Sequence, residues 1–328
     1  NGTDGGKELF AYIPRAVAGN LNRLPNPSYA HTPYVDGQLT VDEAQFTSGS
    51  GDNITQAWKT LLVGSMGGGA QGIYALDVTD PTSFGTDKVL FEFTDANDPY
   101  MGNISGAPTL VKIRTLDSSG ANPVFKWYVA VSSGFNNFTA DGTGKYSSTG
   151  EQALYLFSVD KSPDAAWVQN TNWFKMKVGA SSGLSNPGIG KGLYGDAQVF
   201  YAGDTNGRLW KFDLQAGLKI GTAPSAVKQS SGQPVPLAIT RASSGSTAVQ
   251  PITSVPQVAA TPQGGYMVMF GTGKFMESTD TGNTDEQGTY GIWDDMSSDV
   301  SHYNVDRSKL FTRTVNSSTL KVSGDASF

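Results

Sequence analysis

One pattern recurs along this chain and restricts its fold more than any other feature. Val199–Leu214 reads VFYAGDTNGRLWKFDL: apolar runs Val199–Ala202 and Leu209–Leu214 flank a turn through Asn206-Gly207. Asn-Gly tolerates positive φ at both centres of a tight hairpin turn. Strand side chains alternate faces, so Trp210 and Phe212 share one face and Leu209 and Lys211 the other. The unit returns at Thr60–Pro81 (TLLVGSMGGGAQGIYALDVTDP) and at Trp127–Asp160. It returns again at Tyr266–Asp294, which begins YMVMFGTGKF and ends TYGIWD. Each copy is strand, Gly-centred turn, aromatic strand, then Asp where the chain leaves the sheet. Strand units repeated at intervals of tens of residues, with one aromatic signature each, predict the blades of a β-propeller.

Composition agrees. Glycine supplies 40 of 328 residues, against an average near 7%, and only 16% of residues are charged. Short strands joined by tight turns need that balance, and no segment carries three turns of amphipathic helical period. At roughly 40–50 residues per blade the length predicts six or seven blades in one domain spanning residues 1–328, although only four hairpins are plain. Net charge is −6 and no Lys/Arg cluster is dense enough to track phosphates, which argues against nucleic acid as partner. Without cysteine, thiolate metal sites, a Cys nucleophile and disulfides are excluded. No apolar run approaches the roughly 20 residues that span a bilayer, and no leader sequence is evident. The abrupt opening, Asn1-Gly2-Thr3-Asp4-Gly5-Gly6-Lys7, reads as a fragment of a longer secreted protein.

Between the hairpins, strands are predicted at Glu8–Ile13, Val35–Val41, Val89–Thr94, Ala107–Arg114 and Leu310–Val315, with a short helix within Ala16–Leu24. Ile252–Ala260 restarts the strands after the weakly patterned Leu218–Thr247. Ala140–Gly150 and Gly179–Gly195 read as long loops.

Several phrases, taken in order, resemble a known family. They are Glu8-Leu9-Phe10-Ala11-Tyr12-Ile13-Pro14, Tyr34-Val35-Asp36-Gly37, Trp58-Lys59-Thr60-Leu61-Leu62-Val63-Gly64 and Tyr74-Ala75-Leu76-Asp77-Val78-Thr79. Tyr201-Ala202-Gly203-Asp204, Leu209-Trp210-Lys211-Phe212-Asp213, Phe270-Gly271-Thr272-Gly273-Lys274 and Tyr290-Gly291-Ile292-Trp293-Asp294 complete the set. Together they resemble the C-terminal domain of the PilY/PilC family of type IV pilus biogenesis and tip-adhesin proteins. The resemblance implies an all-β, modified, quinoprotein-like β-propeller with long loop insertions. It implies a bacterial protein, exported to the pilus tip and cell surface, that acts with minor pilins, promotes assembly or opposes retraction, and so affects twitching motility and attachment to host or abiotic surfaces. Many members carry an Asp-rich calcium loop, resembling an EF-hand loop, just before the YAGD hairpin. Here Gly190–Gln198 (GKGLYGDAQ) keeps only Asp196, too few carboxylates for a calcium cage. The site is therefore not carried over, and the Arg-Gly-Asp tripeptide of some relatives is also absent.

Motifs that suggest chemistry have plainer readings. Gly179-Ala180-Ser181-Ser182-Gly183 matches a nucleophile elbow, but Leu184-Ser185-Asn186-Pro187-Gly188 cannot start the helix an elbow requires. Gly67-x-Gly69-x-x-Gly72 precedes a strand, so no helix N-terminus stands ready for a pyrophosphate. Gly142-Thr143-Gly144-Lys145 and Gly271-Thr272-Gly273-Lys274 are followed by Tyr146 and Phe275, where a phosphate loop needs Ser or Thr. His31 and His302 lie far apart in unpatterned segments, and the sequon Asn53-Ile54-Thr55 carries no information in a bacterial chain. The weak cation candidates are Asp280, Asn283, Asp285 and Glu286, with Asp95–Asp98 and Asp141 weaker still. Trp210, Phe212, Tyr290 and Trp293 are expected in packing between blades. The expected function is non-enzymatic docking through the long loops. The alternatives are a quinoprotein dehydrogenase with a quinone bound in the channel, and a purely structural propeller.

Overall fold

A computed structural model of the chain describes residues 5–49, 55–121, 123–138, 147–243, 245–313, 318–319 and 321–322. Asp141, the Gly142–Lys145 stretch and Asn53 lie outside them. Blade 1 is β1 (Leu39–Ser48), β2 (Thr55–Ser65), β3 (Gly72–Asp77) and β4 (Val89–Thr94), each antiparallel to the next. Blade 2 follows with β5 (Thr109–Leu116) and β6 (Pro123–Ser132), then the short β7 (Gly134–Phe135), then β8 (Glu151–Ser158) and β9 (Trp173–Ala180). β10 (Gly183–Leu184) pairs with β7. Blade 3 is β11 (Gly188–Lys191), β12 (Ala197–Gly203) and β13 (Arg208–Asp213). The weakly patterned stretch supplies only two-residue strands. β14 (Leu218–Lys219) joins β5 in parallel, β15 (Gln229–Ser230) pairs with β16 (Gln233–Pro234), and β17 (Ala238–Ile239) becomes the outer strand of blade 3. Blade 4 has three strands: β18 (Gln257–Ala260), β19 (Tyr266–Gly271) and β20 (Thr289–Asp294).

Four sheets of three or more strands therefore form among the described residues, one per hairpin of the repeat, where length alone predicts six or seven. Residues 214–256 and 295–313 explain the difference. They wrap along existing blades instead of building new ones.

The order of blades in the sequence is their order in space, because each blade uses its two faces on two neighbours. Val129, Val131, Tyr155 and Phe157 of blade 2 pack with Val63, Ile73 and Phe93 of blade 1. The alternate residues Tyr128, Ala130, Leu154 and Leu156 pack with Phe200, Ala202, Trp210 and Phe212 of blade 3. Val199, Tyr201 and Leu209 then meet Val268, Phe270, Tyr290 and Ile292 of blade 4. Strands covered on both faces carry continuous apolar runs, which is why LYLF and VFYA look less alternating than exposed hairpins do.

Four expectations change. Glu8–Ile13 is extended but pairs with no strand: Phe10 stacks on Phe84 at 3.9 Å and Tyr12 lies 5.4 Å from Tyr74, so side chains, not a backbone ladder, cap the outer face of blade 1. In the helical segment, Arg15–Ala18 is α-helix and Leu21–Arg23 is 3-10 helix. Leu310–Arg313, the described part of the predicted last strand, forms none. Finally, of the Asn206-Gly207 pair only Gly207 has positive φ (+70°). A Cβ there would sit 2.6 Å from the Thr240 hydroxyl oxygen, so both conformation and space require glycine.

Candidate functional site

The turns of all four blades converge on one cavity of about 590 Å³. Gly67 and Gly68 come from the β2–β3 turn, Phe135 and Asn136 from β7 and its exit, Ser182 from the β9–β10 link, Thr205 from the β12–β13 turn, and Lys274, Met276 and Glu277 from the loop after β19. The G-x-G-x-x-G stretch is thus a hairpin turn, closed by bonds from Met66 N to Gly72 O and Gly69 N to Met66 O, with β3 following it. The Asp36 carboxylate accepts from Gly68 N at 2.7 Å, and Asn103 donates its amide to Gly67 O at 2.8 Å. Asn136 sits at φ 60°, a conformation L-residues rarely adopt, with its carbonyl held by Gln71 Nε2 at 2.5 Å. The apparent nucleophile Ser181 donates to Gly183 O at 3.0 Å and its neighbour Ser182 bonds Thr205 Oγ1 at 2.7 Å. Both are loop ties, followed by β10 and not by a helix.

The wall sets the amides and hydroxyls of Asn103, Ser105, Asn136, Ser182 and Thr205 beside the apolar Ile104, Phe135, Phe138 and Met276. Its cation, Lys274, stands between Glu277 at 3.3 Å and Asp280 at 3.4 Å. A pyrroloquinoline quinone is a polyanion and would need cationic partners or a metal here. The residues present do not fit it. The geometry suits a rigid rim that presents loops.

The rim is braced from inside. Asp204, fully buried, opens the β12–β13 turn and accepts four bonds: from Asn206 N (2.9 Å) and Arg208 N (3.0 Å) on one oxygen, and from Arg208 Nε (2.6 Å) and Trp210 Nε1 (2.9 Å) on the other. Burial pushes its carboxyl above the ordinary range even against the Arg208 charge. Two Tyr–Asp–Lys clamps, not foreseen from the sequence, tie elements together deeper in. Asp294, ending β20, accepts from Tyr201 at 2.5 Å and Lys211 at 2.9 Å, joining blades 3 and 4. Asp98, between blades 1 and 2, accepts from Tyr155 at 2.8 Å and Lys175 at 2.6 Å. Burial, with the neighbouring carboxylate, pushes both phenols far above their ordinary range, so each stays a donor. A lysine inside an otherwise apolar strand, as in LWKF, was the available signal.

The calcium-loop stretch Gly190–Gln198 is a hairpin tip between β11 and β12. Gly192 N donates to Asp196 O at 2.8 Å and Gly195 N to Gly192 O at 3.0 Å, leaving Leu193 and Tyr194 exposed. Asp196 has one oxygen 3.2 Å from Gln198 Nε2 and the other buried without a partner. A single carboxylate in a closed turn does not fit a calcium cage. The four weak candidates do not converge either. Asp280 accepts from Met276 N (2.8 Å) and Glu277 N (2.9 Å), bonds that, with Lys274, hold its carboxyl below the usual range. Asn283 and Asp285 bond each other, and Glu286 lies 3.8 Å from Arg307. Among the described residues no group of three His, Asp or Glu is placed to hold a metal. His302 pairs with Asp295 at 2.7 Å, and the ring of His31 meets Tyr29 edge-on.

Comparison with known proteins agrees with this architecture. The sequence profile of the PilY1 beta-propeller domain matches residues 1–328. The type IV pilus biogenesis factor PilY1 of Pseudomonas aeruginosa PAO1 is 31% identical over 98% of this chain, and a Xylella fastidiosa homologue is 31% identical over 89%. The chain spans only 26% and 18% of those two proteins. The crystal structure of the P. aeruginosa PilY1 C-terminal domain superposes with a TM-score of 0.60 at 28% identity, covering 92% of this chain and 56% of that one. The chain belongs to the PilY1 β-propeller domain family of type IV pilus biogenesis factors.

Proposed function

We propose that this propeller is a non-catalytic docking domain of the type IV pilus machinery. It acts outside the cytoplasm at the pilus tip and cell surface, with minor pilins as its partners. It supports pilus assembly against retraction, and through that twitching motility and attachment to host or abiotic surfaces. The observation that carries the reading is the match along nearly the whole chain to pilus biogenesis factors. The chemistry of the rim agrees: amides, hydroxyls, apolar side chains and a paired lysine offer recognition. Loops on a rigid scaffold usually carry recognition; the 179–195 stretch, expected as a loop, contains β10 and β11 and leaves the tip 192–196, which with residues 218–247 and the described end of the 140–150 loop supplies them. Among the described residues no helix is long and apolar enough to cross a membrane.

The test is deletion of this domain from its parent gene, followed by counts of surface pili and twitching zones. The proposal expects pili to be lost and to return when retraction is also disabled. Normal piliation would overturn it. A quinone absorption band in the purified protein would overturn the non-catalytic part.

A further inference from the structure

We propose that the outer edge of β20 is a docking site for an extended, acidic strand of a partner protein, a reading that rests on the docking function above and names its surface. Blade 4 stops at three strands, whereas blades 1 to 3 each have at least four. Among the described residues the chain after β20 does not turn back to supply a fourth strand. It runs to blade 3, where Val305 pairs with Ala238 of β17. Thr272 N bonds Gly288 O, and the β19–β20 register continues from that pair. Antiparallel pairs alternate between bonded and non-bonded, so Tyr290 and Ile292 bond β19 while Thr289, Gly291 and Trp293 aim their N–H and C=O outward. Among the described residues no hydrogen bond reaches those outward groups.

The other outer strands differ. Trp167 Nε1 donates to Glu92 O of β4 at 3.2 Å, and β17 is covered by Val305. A groove of about 1020 Å³ runs beside Thr289 and Gly291, walled by residues 309–313. Its lining carries Lys309 and the Arg307–Glu286 pair, on a chain whose net charge is −6. An unpaired edge strand adds a further strand through main-chain bonds, and a cationic wall selects one bearing carboxylates.

The experiment titrates the purified domain into a fluorescein-labelled designed peptide of alternating Val and Thr with Asp at both ends, read by fluorescence anisotropy. Saturable binding is expected, weakened at least about tenfold by Gly291→Pro, which removes one outward N–H and no bond of the internal ladder. Lys309→Glu and a Lys-ended peptide should each weaken binding about threefold. N-methylation of alternate peptide amides should abolish it with the protein unchanged, which keeps the test decisive should the proline variant fold poorly. No saturable binding, equal binding by the N-methylated peptide, or no preference for the acidic ends would each overturn the proposal. Dimerisation of the wild type lost in Gly291→Pro would overturn it too, by assigning the edge to a second copy. The pilus reading would survive any of these, because deletion tests it separately.

Discussion

In blade 2 every residue of β8 from Gln152 to Ser158 is buried, whereas β20 of blade 4 alternates exposed and buried along its whole length. Both strands come from the same repeat unit. β8 lies between two neighbouring blades, with Tyr155 and Phe157 turned one way and Leu154 and Leu156 the other. Among the described residues β20 packs against a neighbouring blade on the side of Tyr290 and Ile292 alone. Trp293, expected in packing between blades, is therefore 51% exposed, its indole N–H donating to Gly264 O at 3.0 Å, while Trp210, Phe212 and Tyr290 are buried as expected. A repeat unit specifies a two-faced strand. How many faces become core depends on how many blades stand beside it.

The comparison can be broken by substitution. Phe157→Ala removes a ring packed against Phe93 at 4.6 Å and should cost about 3–5 kcal/mol in urea unfolding. Loss of under about 1 kcal/mol would mean the blade 1–blade 2 contact is not a packed core. Lys211→Ala leaves Asp294, 3% exposed, with the Tyr201 hydroxyl and Met296 N as donors but no cation, and about 3–5 kcal/mol is expected. Restoring stability with Lys211→Met plus Asp294→Leu would show that the pair fixes geometry more than it stabilises.

Acid sharpens the same contrast. Burial raises the Asp77 carboxyl, but bonds from Thr79 and the Lys59 ammonium outweigh it and leave it below its ordinary 3.8. Glu151 is likewise lowered from 4.5: burial raises it, and Tyr100, Thr149 and Lys177 outweigh that. A carboxylate with a depressed folded pKa stabilises above its unfolded pKa and loses that contribution as pH falls through the folded one. Thermal midpoints should thus fall as pH drops below about 4.5, and Asp77→Asn should flatten the lower part of that slope. An unchanged slope would remove Asp77 from the account. The smallest effect is expected at blade 4, where Trp293→Ser should change stability by no more than about 0.5 kcal/mol. A large loss would mean the open face is covered in solution.

The residues alone carried a good part of this. The strand Val89–Thr94 forms as read, and the four hairpins head four blades. The turns at Gly67–Gly69 and Asp204–Gly207 also fall where the sequence puts them, because turn geometry and side-chain alternation are local properties. Blade number was not legible, since dividing length by a repeat assumes that loops build strands. At Glu8–Ile13 the alternation was read correctly, but a ladder needs a free edge and this segment lies across a face. The axial rim, the two Tyr–Asp–Lys clamps and the open edge of β20 were decided only in three dimensions. Each joins residues from separate repeats, and no local spacing records which repeat will lie beside which.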